Sequence, residues 1–371
     1  MSPAFSSTKQ AGAFALLLLT ILLLPVLVGK SALPPREQLY KTESIKWFGP
    51  YPFIHQQIFE EKGDIDIVFA GSSHILAGID TRYVQKKLSA NLGRPATVRT
   101  LGWTGSGFDA LFFIIQDLLA NRTVRMLVIH QEAQGRPIPH NVVPRLFRIG
   151  DGAEALTGLG TQAQASYYFA AILGLPGNLF SLMRSNLPVD PAKVESDRWR
   201  RAYNAEHFAT TLGSLSAQIG YSARPGIDKA DFVAYAPQTS AQPSDTSIYS
   251  PQTNAKFDFS GPRIPPEQLH FARKLALLTR QHQTKLVVLH LPDITESRAN
   301  RIHERGSWPQ SLETEPALVG IPPAALFAGL TDEEIKKLFF DWCHLNKNGQ
   351  EYFTPLITPS LLKIYHVETK H

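Results

Sequence analysis

Short apolar runs ending in small residues alternate with stretches of helical periodicity through much of this chain. Ile67–Ala70, extended backwards by Ile65, carries no charge after Asp66 and predicts a strand whose later residues are buried on both faces. It runs straight into Gly71, Ser72, Ser73 and His74, and then into a helical segment. Over Ile79–Leu92, Tyr83, Val84 and Leu88 fall on one side and Arg82, Gln85, Lys86 and Ser89 on the other, the pattern of an amphipathic helix. Thr97–Leu101 and Val124–His130 predict a second and a third strand, with a strongly apolar helix, Phe108–Leu119, between them. A further helix, Leu269–His282, feeds a strand at Lys285–His290. This alternation predicts an α/β fold, a parallel sheet with helices on both faces.

The remaining segments are less regular. Ala163–Leu173 predicts an apolar helix, broken at Gly174–Gly177 by Pro176. Asp190–Gln218 predicts a charged helix, and Tyr235–Pro262, rich in Pro, Ser, Thr, Gln and Asn, an extended loop. Pro316–Leu330 predicts a loose stretch, Asp332–Phe339 a helix and Phe340–Gly349 a turn. Glu351–Tyr365 closes the chain as a helical region interrupted at Pro355 and Pro359.

The amino terminus has a different pattern. Ala11–Gly29 is an uncharged run between Lys9 and Lys30, long enough at about 1.5 Å per residue to nearly cross a bilayer core. It is long for a cleaved signal peptide, and Gly29-Lys30-Ser31 matches a cleavage site poorly, so the expectation is an uncleaved single-span anchor. The chain then divides into an anchor (1–30), a proline- and aromatic-containing spacer (31–63) and an α/β domain (64–371) with a large insertion at about 131–265. Aromatic residues Tyr40, Trp47, Phe48, Tyr51 and Phe53 predict a spacer packed on the domain or resting near lipid headgroups.

Composition adds limits. With 371 residues and 43% hydrophobic content, the chain can bury a substantial core. The excess of 37 Lys and Arg over 32 Asp and Glu is spread along the chain, with no basic cluster of the kind that binds nucleic acid. The single cysteine, Cys343, excludes an intramolecular disulfide and a multi-cysteine zinc site. Near the anchor, Lys30, Arg36, Lys41 and Lys46 outnumber Lys9, a bias toward a cytoplasmic domain, although large domains are translocated regardless of such charges.

Two places carry candidate chemistry. A small-residue turn at the carboxyl end of a buried strand is where open α/β sheets place ligands and nucleophiles, and Ser72 and Ser73 occupy such a turn. The same serines would also serve as helix caps. Far along the chain, Asp341 and His344 have the spacing that sets a carboxylate beside an imidazole, fixing the tautomer a general base needs. Asn346 would cap the helix that follows.

Together these blocks resemble the SGNH/GDSL hydrolase superfamily. Gly71, Ser72 and Ser73 correspond to its Gly-Asp-Ser turn, with Ser73 in the nucleophile's place. Thr100, Leu101, Gly102, Trp103, Thr104 and Gly105 resemble its second block, with Gly105 as the glycine whose amide joins the oxyanion hole. Asp341, Trp342, Cys343, His344, Leu345, Asn346 and Gly349 closely match its last block, Asp-x-x-His followed by a Leu-Asn-x-x-Gly-like helix start. Ser72 replaces the family's aspartate, Thr100 stands where asparagine is frequent, and His130, Gln131 and Glu132 stand in place of the Gly-x-Asn-Asp block.

The resemblance implies a three-layer, flavodoxin-like parallel sheet and a serine esterase or acyltransferase. Its catalytic residues would be Ser73, Asp341 and His344. Its oxyanion hole would be formed by the Ser73 and Gly105 amides and, in place of the asparagine, the Gln131 side chain. Within the superfamily the anchor and the altered blocks look more like envelope acyl-transfer proteins, relatives of the D-alanine transfer protein of teichoic acid and of the alginate acetylation proteins, than like secreted lipases. That likeness implies an exported domain on the bacterial cytoplasmic membrane, a glycan acceptor, an acyl donor and a membrane-bound O-acyltransferase as partner. It implies no cofactor and no metal. A catalytically silent scaffold of the same fold, binding polysaccharide or that partner, is the alternative. His74, expected to point to the other side of the turn, and Trp103, near Gly105, are further candidates for substrate contact, and His290 is expected to be structural.

Overall fold

In the computed structural model, residues 7–30, 36–40, 51–103, 105, 107–131, 139–185, 264–294, 312, 316–321, 323–339 and 343–366 are described. The expected helix at 190–218 and loop at 235–262 lie outside these residues, as does Asp341. The fold is α/β. Five strands, β1 (Ile65–Ser72), β2 (Val98–Trp103), β3 (Val124–His130), β4 (Lys285–Leu289) and β5 (Ala317–Val319), form one sheet in the order β2-β1-β3-β4-β5. Every pairing is parallel, with Gly71 beside Gly102 and Ala70 beside Ile129 in register.

Strand residues alternate between two cores, one on each face of the sheet. Val68, Ala70, Leu127, Ile129 and Val288 join one; Phe69, Met126, Val128, Val287 and Leu289 join the other. The first core includes residues of α6 (Phe108–Asn121) and of a helix at Pro266–Gln281. The second includes Val84 and Leu88 of α5 (Thr81–Leu92) and Phe353, Ile357 and Leu361 of the closing helix, Lys347–His366. Burial on both faces explains why these strands read as continuous apolar runs.

Ahead of the sheet come α1 (Thr8–Lys30), α2 (Arg36–Leu39) and α3 (Tyr51–His55). The spacer aromatics Tyr40, Tyr51 and Phe53 are buried in the first core, so these described parts of the spacer pack on the domain, while Trp47 and Phe48 lie outside the described residues. Arg36 fixes it further. Its guanidinium donates to Asp117 Oδ1 at 2.7 Å and Asp151 Oδ2 at 2.6 Å, and Tyr40 Oη donates to Asp117 Oδ2 at 2.6 Å. Burial alone would lower the Arg36 pKa, but Asp117 and Asp151 outweigh it and hold the guanidinium above its ordinary value.

The α1 backbone helix runs 23 residues. Among the described residues, no helix is long and apolar enough to cross a membrane.

Three expectations change. The helix expected to break at Gly174–Gly177 continues as α9 (Thr161–Ser185) through Pro176, with α7 (Val143–Leu146) and α8 (Gly152–Leu156) preceding it. The closing helix runs unbroken through Pro355 and Pro359, because Phe353, Ile357, Leu361 and Ile364 bury one face across both prolines. Tertiary burial offsets the hydrogen bonds the prolines remove. Within the loose stretch at 316–330 lie β5 and a short helix, Pro323–Leu326.

Candidate active site

The strand order places a topological switch between β1 and β3, where chains leaving the carboxyl ends of neighbouring strands diverge. Ser72 ends β1, and Ser73 opens α4 (Ser73–Gly78). Ser72 Oγ accepts from the His74 amide at 3.4 Å, so one serine caps the helix and the other is presented by its first turn. Leu76 of α4 sits directly over Gly102 of β2; any side chain there would collide with it, so this glycine sets how closely α4 approaches the sheet.

His344 reaches this turn from the other end of the chain. Asn346 Oδ1 accepts from the Gly349 amide at 3.1 Å, and Asn346 Nδ2 donates to the Lys337 and Phe339 carbonyls at 2.8 and 3.1 Å. These bonds join the His344 turn to the start of the closing helix. That helix is docked near α4 in turn: Gln350 Nε2 donates to the Leu76 carbonyl at 3.4 Å, and the Asp80 amide donates to Thr354 Oγ1 at 2.9 Å.

The result is a 2.8 Å approach of Ser73 Oγ and His344 Nε2, both residues buried. His344 Nδ1 lies 3.3 Å from Cys343 Sγ.

Gln131 follows β3 at the same end of the sheet. Its amide donates to the Leu289 carbonyl at 2.9 Å, and its Oε1 accepts from His290 Nδ1 at 3.1 Å. His290 is itself fixed by its amide, which donates to the Val319 carbonyl at 2.8 Å. The histidine expected to be structural therefore orients the carboxamide of a candidate site residue.

Gly105, φ +82°, lies in the connection from β2 to α6 against the edge of His140. The Val142 amide donates to His140 Nδ1 at 3.2 Å, so the neutral ring carries its proton on Nε2, the atom facing Gly105. Asp109 holds the other side of this arrangement, accepting from the His140 amide at 2.7 Å and from Tyr167 Oη at 2.9 Å.

One further placement differs from expectation. His74 does not turn away: its ring stacks on His344, centroids 4.7 Å apart and planes at 29°, and meets His130 edge-on at 5.0 Å. Trp103 is buried within the first core, a placement that favours packing over contact with a sugar. His130, which the sequence places at the end of a strand and in the altered third block without assigning it a role, is buried with no partner for Nδ1. Burial, then the neighbouring His74, His290 and His344 imidazoles, hold its pKa well below the ordinary imidazole value.

Chemically, the arrangement offers a buried hydroxyl in contact with an imidazole, with the His74 and His130 rings packed beside it. Among the described residues, His74, Cys343 and His344 also offer possible metal-ligand atoms within 4.8 Å of one another. Their geometry is poor for a cation, because stacked imidazoles direct in-plane lone pairs side by side, and His344 Nε2 already faces Ser73.

No family model matches this chain, and no curated protein matches it.

Proposed function

We propose that this protein is a membrane-anchored serine acyltransferase or esterase of SGNH type that works through an acyl-Ser73 intermediate. The observation that carries this reading is the 2.8 Å contact between Ser73 Oγ and His344 Nε2. In a neutral imidazole with its proton on Nδ1, Nε2 is the basic atom, and it faces the hydroxyl whose proton must be removed. The parallel sheet order and the helices on both faces support the finer three-layer, flavodoxin-like assignment.

His344 takes the Ser73 proton as Oγ attacks the carbonyl carbon of an ester or thioester. The tetrahedral oxyanion is held by the Ser73 and Gly105 amides and the Gln131 carboxamide, which His290 aims by binding its oxygen. The intermediate collapses, His344 returns the proton to the departing alkoxide or thiolate, and the acyl group stays on Ser73. Water or a sugar hydroxyl then gives its proton to His344, attacks the acyl-serine and restores the free enzyme. Asp341 would hold the Nδ1 proton of His344.

The substrate class we assign is an O-acyl group of a cell-envelope polysaccharide, handed over beside a membrane-bound O-acyltransferase on the outer side of the cytoplasmic membrane. The uncharged Ala11–Gly29 run within α1 and the exposed Phe14, Leu16, Leu17 and Ile21 support the anchor.

Hydrolysis of p-nitrophenyl acetate by the full chain, compared with Ser73→Ala, tests the catalytic reading. Loss of turnover and of acylated Ser73 peptide in the variant is the expected result. Equal turnover in both proteins sinks the proposal and leaves the silent-scaffold alternative standing.

A further inference from the structure

Among the described residues, every exposed large apolar side chain except Leu277 belongs to α1 or α9. On α9 these are Phe169 (62% exposed), Leu173 (64%), Leu179 (39%) and Met183 (65%). At 100° per residue they fall within an arc of about 120°, and the stripe runs about 21 Å along the helix. The opposite side is committed to the domain. Tyr167 and Ala171 are buried in the core, and Tyr167 Oη donates to Asp109. Gly174 lies so close to the Pro144 carbonyl that no side chain would fit between them. A helix with apolar residues on both its inner and its outer face has only half its apolar surface accounted for by the protein.

Three observations say what covers the outer half. First, α1 packs against α9 and against the turn at Ile149–Asp151, so the two elements that carry the exposed apolar residues are neighbours. Second, α9 carries no charged residue from Thr161 to Met183; Arg184, at its end, is the first. Third, the stretch after the helix is a poor complement by sequence, since Asp190, Lys193, Glu195, Asp197, Arg198, Arg200 and Arg201 crowd its beginning.

We propose that the outer face of α9 lies in the apolar layer of a phospholipid bilayer beside α1, so that the domain rests on the membrane through two adjoining elements. This rests on the reading of α1 as a membrane anchor. Phe169, Leu173, Leu179 and Met183 enter the acyl-chain boundary, and the inner face of the helix stays packed on the sheet domain. The site then has a fixed height above the membrane, because Asp109 bonds both Tyr167 of α9 and His140, the residue against Gly105.

An environment-sensitive fluorophore on single cysteines tests this in the full chain, in a Cys343→Ser background and in phosphatidylethanolamine–phosphatidylglycerol vesicles. Labels go at Phe169→Cys and Met183→Cys, with Leu17→Cys as the anchor control and Lys86→Cys, an exposed position on α5, as the solvent control. All are exposed positions, so the fold does not depend on them. The expected result is a blue shift at 17, 169 and 183 and loss of emission there when doxyl-labelled phospholipid is added, with position 86 unchanged. Quenching at 17 but not at 169 and 183 overturns the proposal and leaves the anchor intact. A blue shift at 169 and 183 without quenching also overturns it, and identifies a protein cover, either a partner, a second copy or another part of this chain. No quenching at 17 removes the anchor reading and this proposal together.

Discussion

His290 Nδ1 donates to Gln131 Oε1 across 3.1 Å, joining the ends of two adjacent strands, β3 and β4, at the carboxyl edge of the sheet. With its oxygen held, the Gln131 carboxamide is oriented at this edge, and in the proposed mechanism its NH2 serves the developing oxyanion. Gln131→Leu is expected to lower kcat by about 100-fold, the scale for losing one oxyanion donor. His290→Phe is expected to lower kcat by about 10-fold with little change in KM, because it loosens the donor without removing it. Steady-state kinetics on an activated ester separate the two effects; a rise in KM alone would count against this role.

Gly105→Ala has no comfortable solution. The position has φ +82°, and an added Cβ would lie 2.8 Å from His140 Nε2. The variant is expected to lose about 1–3 kcal/mol of stability from backbone strain, with a larger fall in turnover as the amide moves. Urea unfolding and ester hydrolysis measured on the same protein check both parts.

The Arg36–Asp117 pair connects the spacer to α6. Burial by itself raises the Asp117 pKa, opposed by Arg36 and by the Tyr40 hydroxyl. Asp117→Ala leaves a buried guanidinium with Asp151 as its remaining carboxylate, and is expected to cost about 3 kcal/mol. Chemical denaturation of the variant measures it, and a change below about 1 kcal/mol, the range of exposed pairs, would refute the buried-pair account.

His130 makes stability fall on the acid side of neutrality. Its folded pKa is depressed, so as pH drops below 6.5 the unfolded chain takes up a proton that the folded ring refuses. Stability is therefore full above 6.5 and declines toward the folded value, with a slope approaching about 1.4 kcal/mol per pH unit for one proton. His130→Gln is expected to flatten the decline between about pH 6.5 and 5, the window below the ordinary histidine pKa. Unfolding free energies of both proteins across that window test the prediction.

The sheet was legible because its central strands are buried on both faces and must be apolar throughout. The third strand begins and ends where the periodicity put it, at Val124 and His130. The three residues of β5 were not legible, since Ala317–Val319 is too short to have a period. Nor was the continuity of α9 and the closing helix through their prolines, because local sequence records the lost hydrogen bonds but not the burial that offsets them.

Residue type and local spacing, the information a chain carries along itself, pointed to the serine turn and to His344; the choice of Ser73 over Ser72 came from the resemblance, and the 2.8 Å contact falls on Ser73. Periodicity and residue type marked the first four strands, the Gly-Ser-Ser turn and the histidine that could serve it. Tertiary structure alone decided that His74 stacks on His344, that Cys343 Sγ faces its Nδ1, that His290 aims Gln131, and that His130 is buried among them. The reason is physical. Periodicity reports which face of an element is apolar, whereas the surroundings of a site depend on which strand ends are neighbours, and neighbours in a sheet need not be neighbours in the chain.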